Sequence, residues 1–317
     1  MPPNFIDSSD RLAPLSEKAH AKVNLHLEVL NRRQDGYHNI FSLMAQISLY
    51  DLLKLEKITL HEGPGDTRVE ILPGGGEYDD VIISLPGEEN LVSKAVRAFL
   101  GRMGQSASVA VSIQKNIPAG AGLGGGSSDA AASLRLMNSF LEQKINRCLD
   151  GRELHEMGAQ IGADVPFCIT GGVALCEGKG ERITAVESSL KHCILIAYDG
   201  IHMNTARAYR ELKRDRRCRY SEDDLIHRRT AICGCLREGD VGEMRSLFRN
   251  DFEEVVFLMH PEIARLKMSM LEEGADFAAM TGSGSSVFGL FRDRDSAREA
   301  QQRLARQVQS VFLTQFV

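Results

Sequence analysis

The sequence predicts an α+β fold. Three observations carry this: period-two apolar patterns gather early, helical patterns gather past residue 200, and no strict strand–helix alternation links them. At 317 residues the chain is long enough for two domains and a core that needs no disulfide or metal staple. The change in texture puts the boundary near 185–200, so we expect an extension at 1–17 and domains at 18–190 and 191–317.

The elements follow in order. Lys22 to Leu30 alternates Val23, Leu25, Leu27 and Val29 with Asn24, His26 and Glu28, the signature of a half-buried strand. Short strand-like runs continue through 43–60, and Thr67–Leu72 and Val81–Leu85 read as strands on either side of a turn at Gly74–Gly76. Asn90–Leu100 reads as a helix and Ala107–Ile113 as a strand; a glycine loop at 119–126 then opens a helix at about Ser127. Leu154–Ile161 is expected helical, Val173–Cys176 a short strand and Cys193–Tyr198 a central strand. Helices are expected at 205–212, 223–238, 241–250, 261–273 and 295–308, and strands at 277–280, 287–291 and 311–316.

Composition excludes several classes. Lys plus Arg is 38 against 43 Asp plus Glu, a net charge of −5, which argues against a nucleic-acid binder. No apolar run reaches 18 residues, and Met1–Glu17 lacks the apolar core of a signal peptide, so a cytoplasmic protein without a membrane span is expected. Seven cysteines without a C-x-x-C pattern read as reduced, buried thiols, and no zinc-ligand spacing appears. The one basic cluster, Lys213–Arg219, reads as a solvated helix end.

The informative segment is Pro118, Ala119, Gly120, Ala121, Gly122, Leu123, Gly124, Gly125, Gly126, Ser127, Ser128. Five glycines in seven residues cost chain entropy that a plain turn does not require. Their use is a backbone that wraps closely round a ligand, and the helix that follows turns its unpaired first N–H groups back on the loop. Together these make a phosphate site, with Ser127 and Ser128 as added hydroxyl donors. It is not a Walker loop, because no lysine follows the glycines. Gly120-x-Gly122-x-x-Gly125 satisfies the dinucleotide pattern, but Pro118 separates it from an alternating strand where that fold wants a tight strand-to-glycine turn.

On these residues the chain resembles the GHMP kinase superfamily. Pro118–Ala132 is similar to the family's phosphate loop, Ala21-Lys22-Val23-Asn24-Leu25 to its N-terminal motif, and Met280–Phe288, with Gly282-Ser283-Gly284, to its C-terminal glycine motif. Asp35-Gly36-Tyr37-His38, Asn90-Leu91-Val92, Gly162-Ala163-Asp164-Val165-Pro166-Phe167 and Gly178–Arg182 resemble the branch that acts on a cytidine-bearing alcohol. Residues 1–17, 73–89 and 213–220 depart from the family pattern.

The resemblance implies a two-domain fold: an N-terminal ribosomal protein S5 domain 2-like part and a C-terminal ferredoxin-like part. It implies an ATP-dependent kinase of a small-molecule alcohol, a monomer or homodimer, with ATP delivered as its magnesium complex and no metal ligand assigned. Homoserine- or mevalonate-type kinases and a non-catalytic nucleotide binder are the alternatives. Asp164 would be the general base and Lys22 its cationic neighbour. Residues 118–128, Asn90 and Lys115 would bind ATP. Asn24, Tyr37, His38, Thr205 and Tyr209 would bind the cytidine-bearing substrate. On sequence alone Asp164 reads equally as a helix-end cap, Lys22 as a solvated strand lysine and Tyr37 as a packed turn residue.

Overall fold

The computed structural model describes residues 15–61, 65–84, 90–215, 218 and 220–317. Most of the 1–17 extension, part of the 73–89 insertion and part of the basic cluster lie outside the described residues. The chain packs as two compact units. One takes Met1–His20, Tyr50–Ile117 and Gly125–Ile169; the other takes Ala21–Leu49, Pro118–Gly124 and Thr170–Val317. Two long strands, β1 (Ser16–Arg32) and β2 (His38–His61), contribute to both.

In the first unit β3 (Arg68–Pro73) is followed by α1 (Asp80–Ser84), α2 (Leu91–Arg102) and β4 (Ser106–Gln114). β4 pairs parallel with β3 and antiparallel with β2 from Leu52↔Gln114 to His61↔Ser106. Then come α3 (Gly125–Ile145), α4 (Gly151–Ile161) and α5 (Val165–Thr170). Asn90 starts α2 by accepting the Val92 N–H at 2.9 Å. Val92, Ala95, Val96, Phe99 and Leu100 then form a buried helical face against α3, whose Leu134, Met137 and Leu141 are also buried. α4 starts on a reciprocal cap, with Asp150 bonding the Glu153 N–H and Glu153 bonding back.

In the second unit β5 (Val173–Gly178) pairs with the first half of β2, and β6 (Arg182–Ala185) pairs with β5. β7 (Cys193–Tyr198) leads through α6 (Thr205–Leu212), α7 (Glu222–Glu238), α8 (Val241–Leu247), α9 (Glu253–Met259) and α10 (Pro261–Glu272) to β8 (Phe277–Met280). β9 (Val287–Phe291), α11 (Arg294–Leu304) and β10 (Ser310–Thr314) complete it. The sheet runs β10-β7-β9-β8, antiparallel throughout. Strand, helices, hairpin, helix, strand in that order is the ferredoxin-like arrangement, as expected, and β7 is central.

Three expectations fail. Val81–Leu85 is not a strand: Asp80–Ser84 is helical, with Ile82 N–H bonded to Asp79 O. A three-residue apolar run cannot by itself choose between helix and strand. The runs in 43–60 are one 24-residue strand bulged between Leu55 and Lys57, not several short ones. β1 is not half-exposed: Lys22, Asn24, His26 and Glu28 are all buried. A fourth expectation holds only in part: no cysteine forms a disulfide among the described residues, but Cys148 and Cys218 are exposed rather than buried. Among the described residues no helix is long and apolar enough to cross a membrane.

The polar face of β1 has its own partners. Glu28 accepts bonds from Tyr220 Oη at 3.1 Å, from Arg228 at 2.6 and 3.0 Å and from Arg249. Burial alone would raise its pKa, but His26 and the two arginines override it and hold the carboxyl at about 2. The folded chain therefore binds fewer protons than the unfolded chain between about 4.5 and 2. The stabilisation is complete above that window and is lost as pH falls through it. Glu28→Gln should cost about 2 kcal/mol at pH 7, below a fully buried pair because the arginines keep contact with water. It should also flatten the acid limb, and urea melts at pH 7, 4 and 3 read both effects.

Candidate active site

Lys22 sits on β1 in the second unit, where two glycine loops meet it. Its N–H donates to Leu123 O at 3.0 Å and its Nζ to Asn24 Oδ1 at 2.6 Å. A Cβ on Gly124 would stand 2.9 Å from Lys22 Cγ, and one on Gly282 would stand 3.2 Å from Nζ. The lysine side chain is thus lined by glycine backbone twice, along its stem by Gly124 and at its ammonium by Gly282. The loops also hold each other: Ser286 N–H donates to Ala121 O at 3.1 Å, and Thr281 Oγ1 reaches Gly122 O at 3.3 Å. Asn250 ties the second loop down, donating to Met280 O at 2.7 Å and Gly282 O at 2.8 Å. Gly282-Ser283-Gly284 therefore turns the chain between β8 and β9 and braces residues 120–124 as well. Asn24 is fixed by Thr281 Oγ1 on its N–H and by Ser42 on its side chain.

The first unit carries the helix that the glycines open. α3 starts at Gly125, two residues earlier than the sequence suggests. Ser128 is buried and donates to His20 O at 2.7 Å, so its hydroxyl is spent on the fold. Ser127 is the more exposed of the pair. A Cβ on Gly162 would stand 3.8 Å from Ser127 Oγ, which brings the Gly162-Ala163-Asp164 turn beside the start of α3. Asp164 is half-buried, and its carbonyl accepts the Cys168 N–H that starts α5. Leu91, next to Asn90 in the chain, lies beside Gly126, whose Cβ would stand 3.7 Å from Leu91 Cδ1. Lys115 is buried and its ammonium bonds Asp51 and Asp129.

The cytidine-binding candidates lie in the second unit. His38 stacks on Tyr209 with ring centres 4.8 Å apart and planes at 19°. Tyr209 in turn meets Phe252 edge-on at 4.8 Å. Tyr37 is 58% exposed, with Lys179 Nζ 4.8 Å from its ring centre. Burial, with the Arg32 charge nearby, holds His38 below the usual imidazole range. Thr205 and Ser283 share a hydroxyl bond at 2.8 Å, linking α6 to the second glycine loop. Sequence reasoning missed Asn250, Asp51 and Asp129. The available signal was a charge inside an apolar context, as in Tyr50-Asp51-Leu52 and Asp129-Ala130-Ala131. Among the described residues no group of three or more His, Cys, Asp or Glu could hold a metal ion.

Family models described as GHMP kinases N terminal domain and GHMP kinases C terminal match residues 90–172 and 234–310. The chain belongs to the GHMP kinases. Two relatives, from Caldicellulosiruptor saccharolyticus and Clostridium botulinum, are each 36% identical to it; alignment covers 94–95% of this chain and 95–99% of theirs. Both are named 4-diphosphocytidyl-2-C-methyl-D-erythritol kinase. A crystal structure of 4-(cytidine 5'-diphospho)-2C-methyl-D-erythritol kinase matches with TM-score 0.69 at 30% identity, over 95% of this chain and 98% of the other. A homoserine kinase from Cytophaga hutchinsonii shares the fold, with TM-score 0.71 at 18% identity over 96% of each chain.

Proposed function

We propose that this chain transfers the γ-phosphoryl group of ATP to the 2-hydroxyl of 4-diphosphocytidyl-2-C-methyl-D-erythritol, a step toward isoprenoid precursors outside the mevalonate route. The observation that carries the reading is the buried Lys22 side chain lined by two interlocked glycine loops. Phosphoryl transfer asks the protein for positioning, charge neutralisation and removal of the hydroxyl proton. Residues 118–128 bind the phosphates, with backbone N–H groups available from Ala119 onward, and Asn90 and Lys115 belong to the nucleotide-binding residues. Lys22 offsets charge on the transferring group. Asp164 takes the proton as the hydroxyl oxygen bonds to phosphorus and ADP departs.

The donor set suits magnesium as a companion of ATP rather than as a resident ion. The Ser127 hydroxyl would help hold such an ion, which would neutralise phosphate charge. ATP binding and catalysis are assigned to 18–190, and substrate binding to 191–317 together with Asn24, Tyr37 and His38.

Cytosine recognition falls to Tyr37 and Tyr209 as stacking faces, with His38 reading the edge and Thr205 nearby. A neutral imidazole offers one donor and one acceptor, which suits a base edge. Stacking on an aromatic ring contributes about 1–3 kcal/mol per base. Tyr37→Ala should therefore raise KM for the cytidylyl substrate about 5- to 160-fold and leave KM for ATP unchanged. A kinase of a small alcohol would be indifferent to it. Transfer of label from γ-labelled ATP to the cytidylyl alcohol tests the whole reading; absence of labelled product with folded protein rejects it.

A further inference from the structure

Beneath the start of α3 one ammonium is held between two carboxyl groups. Asp51 on β2 takes the Asn116 and Ile117 N–H groups on Oδ1 at 2.5 and 2.8 Å and pairs with Lys115 through Oδ2. Lys115 Nζ also bonds Asp129 Oδ2 at 2.7 Å, in the first turns of α3. Asp79 fixes the same lysine from its backbone side, accepting its N–H at 2.9 Å. A Cβ on Gly125 would stand 3.1 Å from Lys115 Nζ and 3.0 Å from Ile117 Cγ2. All three charged groups are buried, and Asp129 Oδ1 has no hydrogen-bond partner among the described residues.

Two features of this cluster exceed what stability asks. It grips the backbone at 116–117, where the chain enters the glycine segment, and the helix at 129, where the chain leaves it. It also buries one more carboxyl than its single ammonium can neutralise, a costly choice that apolar packing would avoid. Burial pushes the Asp129 carboxyl up to about 7.

We propose that Asp51, Lys115 and Asp129 are positioning residues that clamp the two feet of the nucleotide loop, so that Lys115 serves ATP binding through the loop and not by touching the nucleotide with its ammonium. This deepens the nucleotide site described above and rests on that reading.

The test is steady-state kinetics on purified full-length protein, with both substrates varied, for wild type, Asp129→Asn, Asp129→Ala and the double variant Lys115→Met/Asp129→Leu. Asp129→Asn keeps an acceptor for Lys115 and should stay within about threefold of wild type in every constant. Asp129→Ala should raise KM for ATP about tenfold or more while KM for the alcohol moves less than about twofold. Asp129→Ala leaves the Lys115–Asp51 ion pair balanced and so should stay folded. The double variant removes the ammonium that links the two feet, leaves Asp51 its Asn116 and Ile117 N–H donors, and should show the same ATP-selective defect. A merely structural triad would lower the active fraction and leave both KM values alone. That result, or a folded double variant with wild-type KM for ATP, overturns the clamp. Loss in Asp129→Asn equal to that in Asp129→Ala overturns it as well. A wild-type protein that transfers no phosphoryl from ATP would instead overturn the function and the clamp together.

Discussion

Asp164→Asn should lower kcat by about 100- to 10,000-fold, the range that a positioned general base contributes. The asparagine has the same shape. The turn around it is held by backbone bonds, Val165 N–H to Gly162 O at 3.2 Å and Cys168 N–H to Asp164 O at 3.1 Å, which the substitution leaves in place. Both KM values and the melting temperature should therefore stay near wild type, so the loss falls on the chemical step. A small residual rate should survive, because Lys22 and the loop amides still position the phosphates. If kcat of the folded variant stays within about threefold of wild type, Asp164 is not the base.

Gly122→Ala should cost at least about 100-fold in kcat/KM for ATP, a loss near 2.7 kcal/mol. Gly122 has φ +79°, and a methyl group there would overlap Thr281 O and stand 3.0 Å from Gly284 O. The neighbour that must give way is backbone of the second glycine loop, which Asn250 already holds, so relief must come from residues 120–124. Gly104→Ala is the control. It shares a positive φ, +66°, but nothing lies within 4 Å of its Cβ. It should lose about 1 kcal/mol of stability from backbone strain alone and keep wild-type kinetics. Thermal melts beside ATP titrations separate the two outcomes.

Legibility in the sequence followed the range of the interaction. Thr205–Leu212, Cys193–Tyr198, Phe277–Met280 and Val287–Phe291 have the bounds that their apolar patterns indicate. Each of these is decided by neighbours a few residues apart. α1 failed because three apolar residues carry no usable period, and α9 was missed because its seven residues span only two turns. Lys22 looked like a solvated strand lysine from its neighbours alone. Its burial comes from Leu123 and Gly282, far along the chain.

By itself the sequence determined most of the strand and helix types, the glycine run from which the proposed phosphate site at 120–128 is read, and the residue kinds available for phosphoryl transfer. These follow from local periodicity and from glycine's backbone freedom, which act over a few residues. Tertiary structure alone decided that the polar face of β1 is buried and that Ser127, not Ser128, keeps an available hydroxyl. It alone brought Asp51 and Asp129 to Lys115 across 64 and 14 residues of chain. Long-range pairing of that kind leaves no periodic trace in a single sequence, because it is set by how strands and helices pack and not by which residues adjoin.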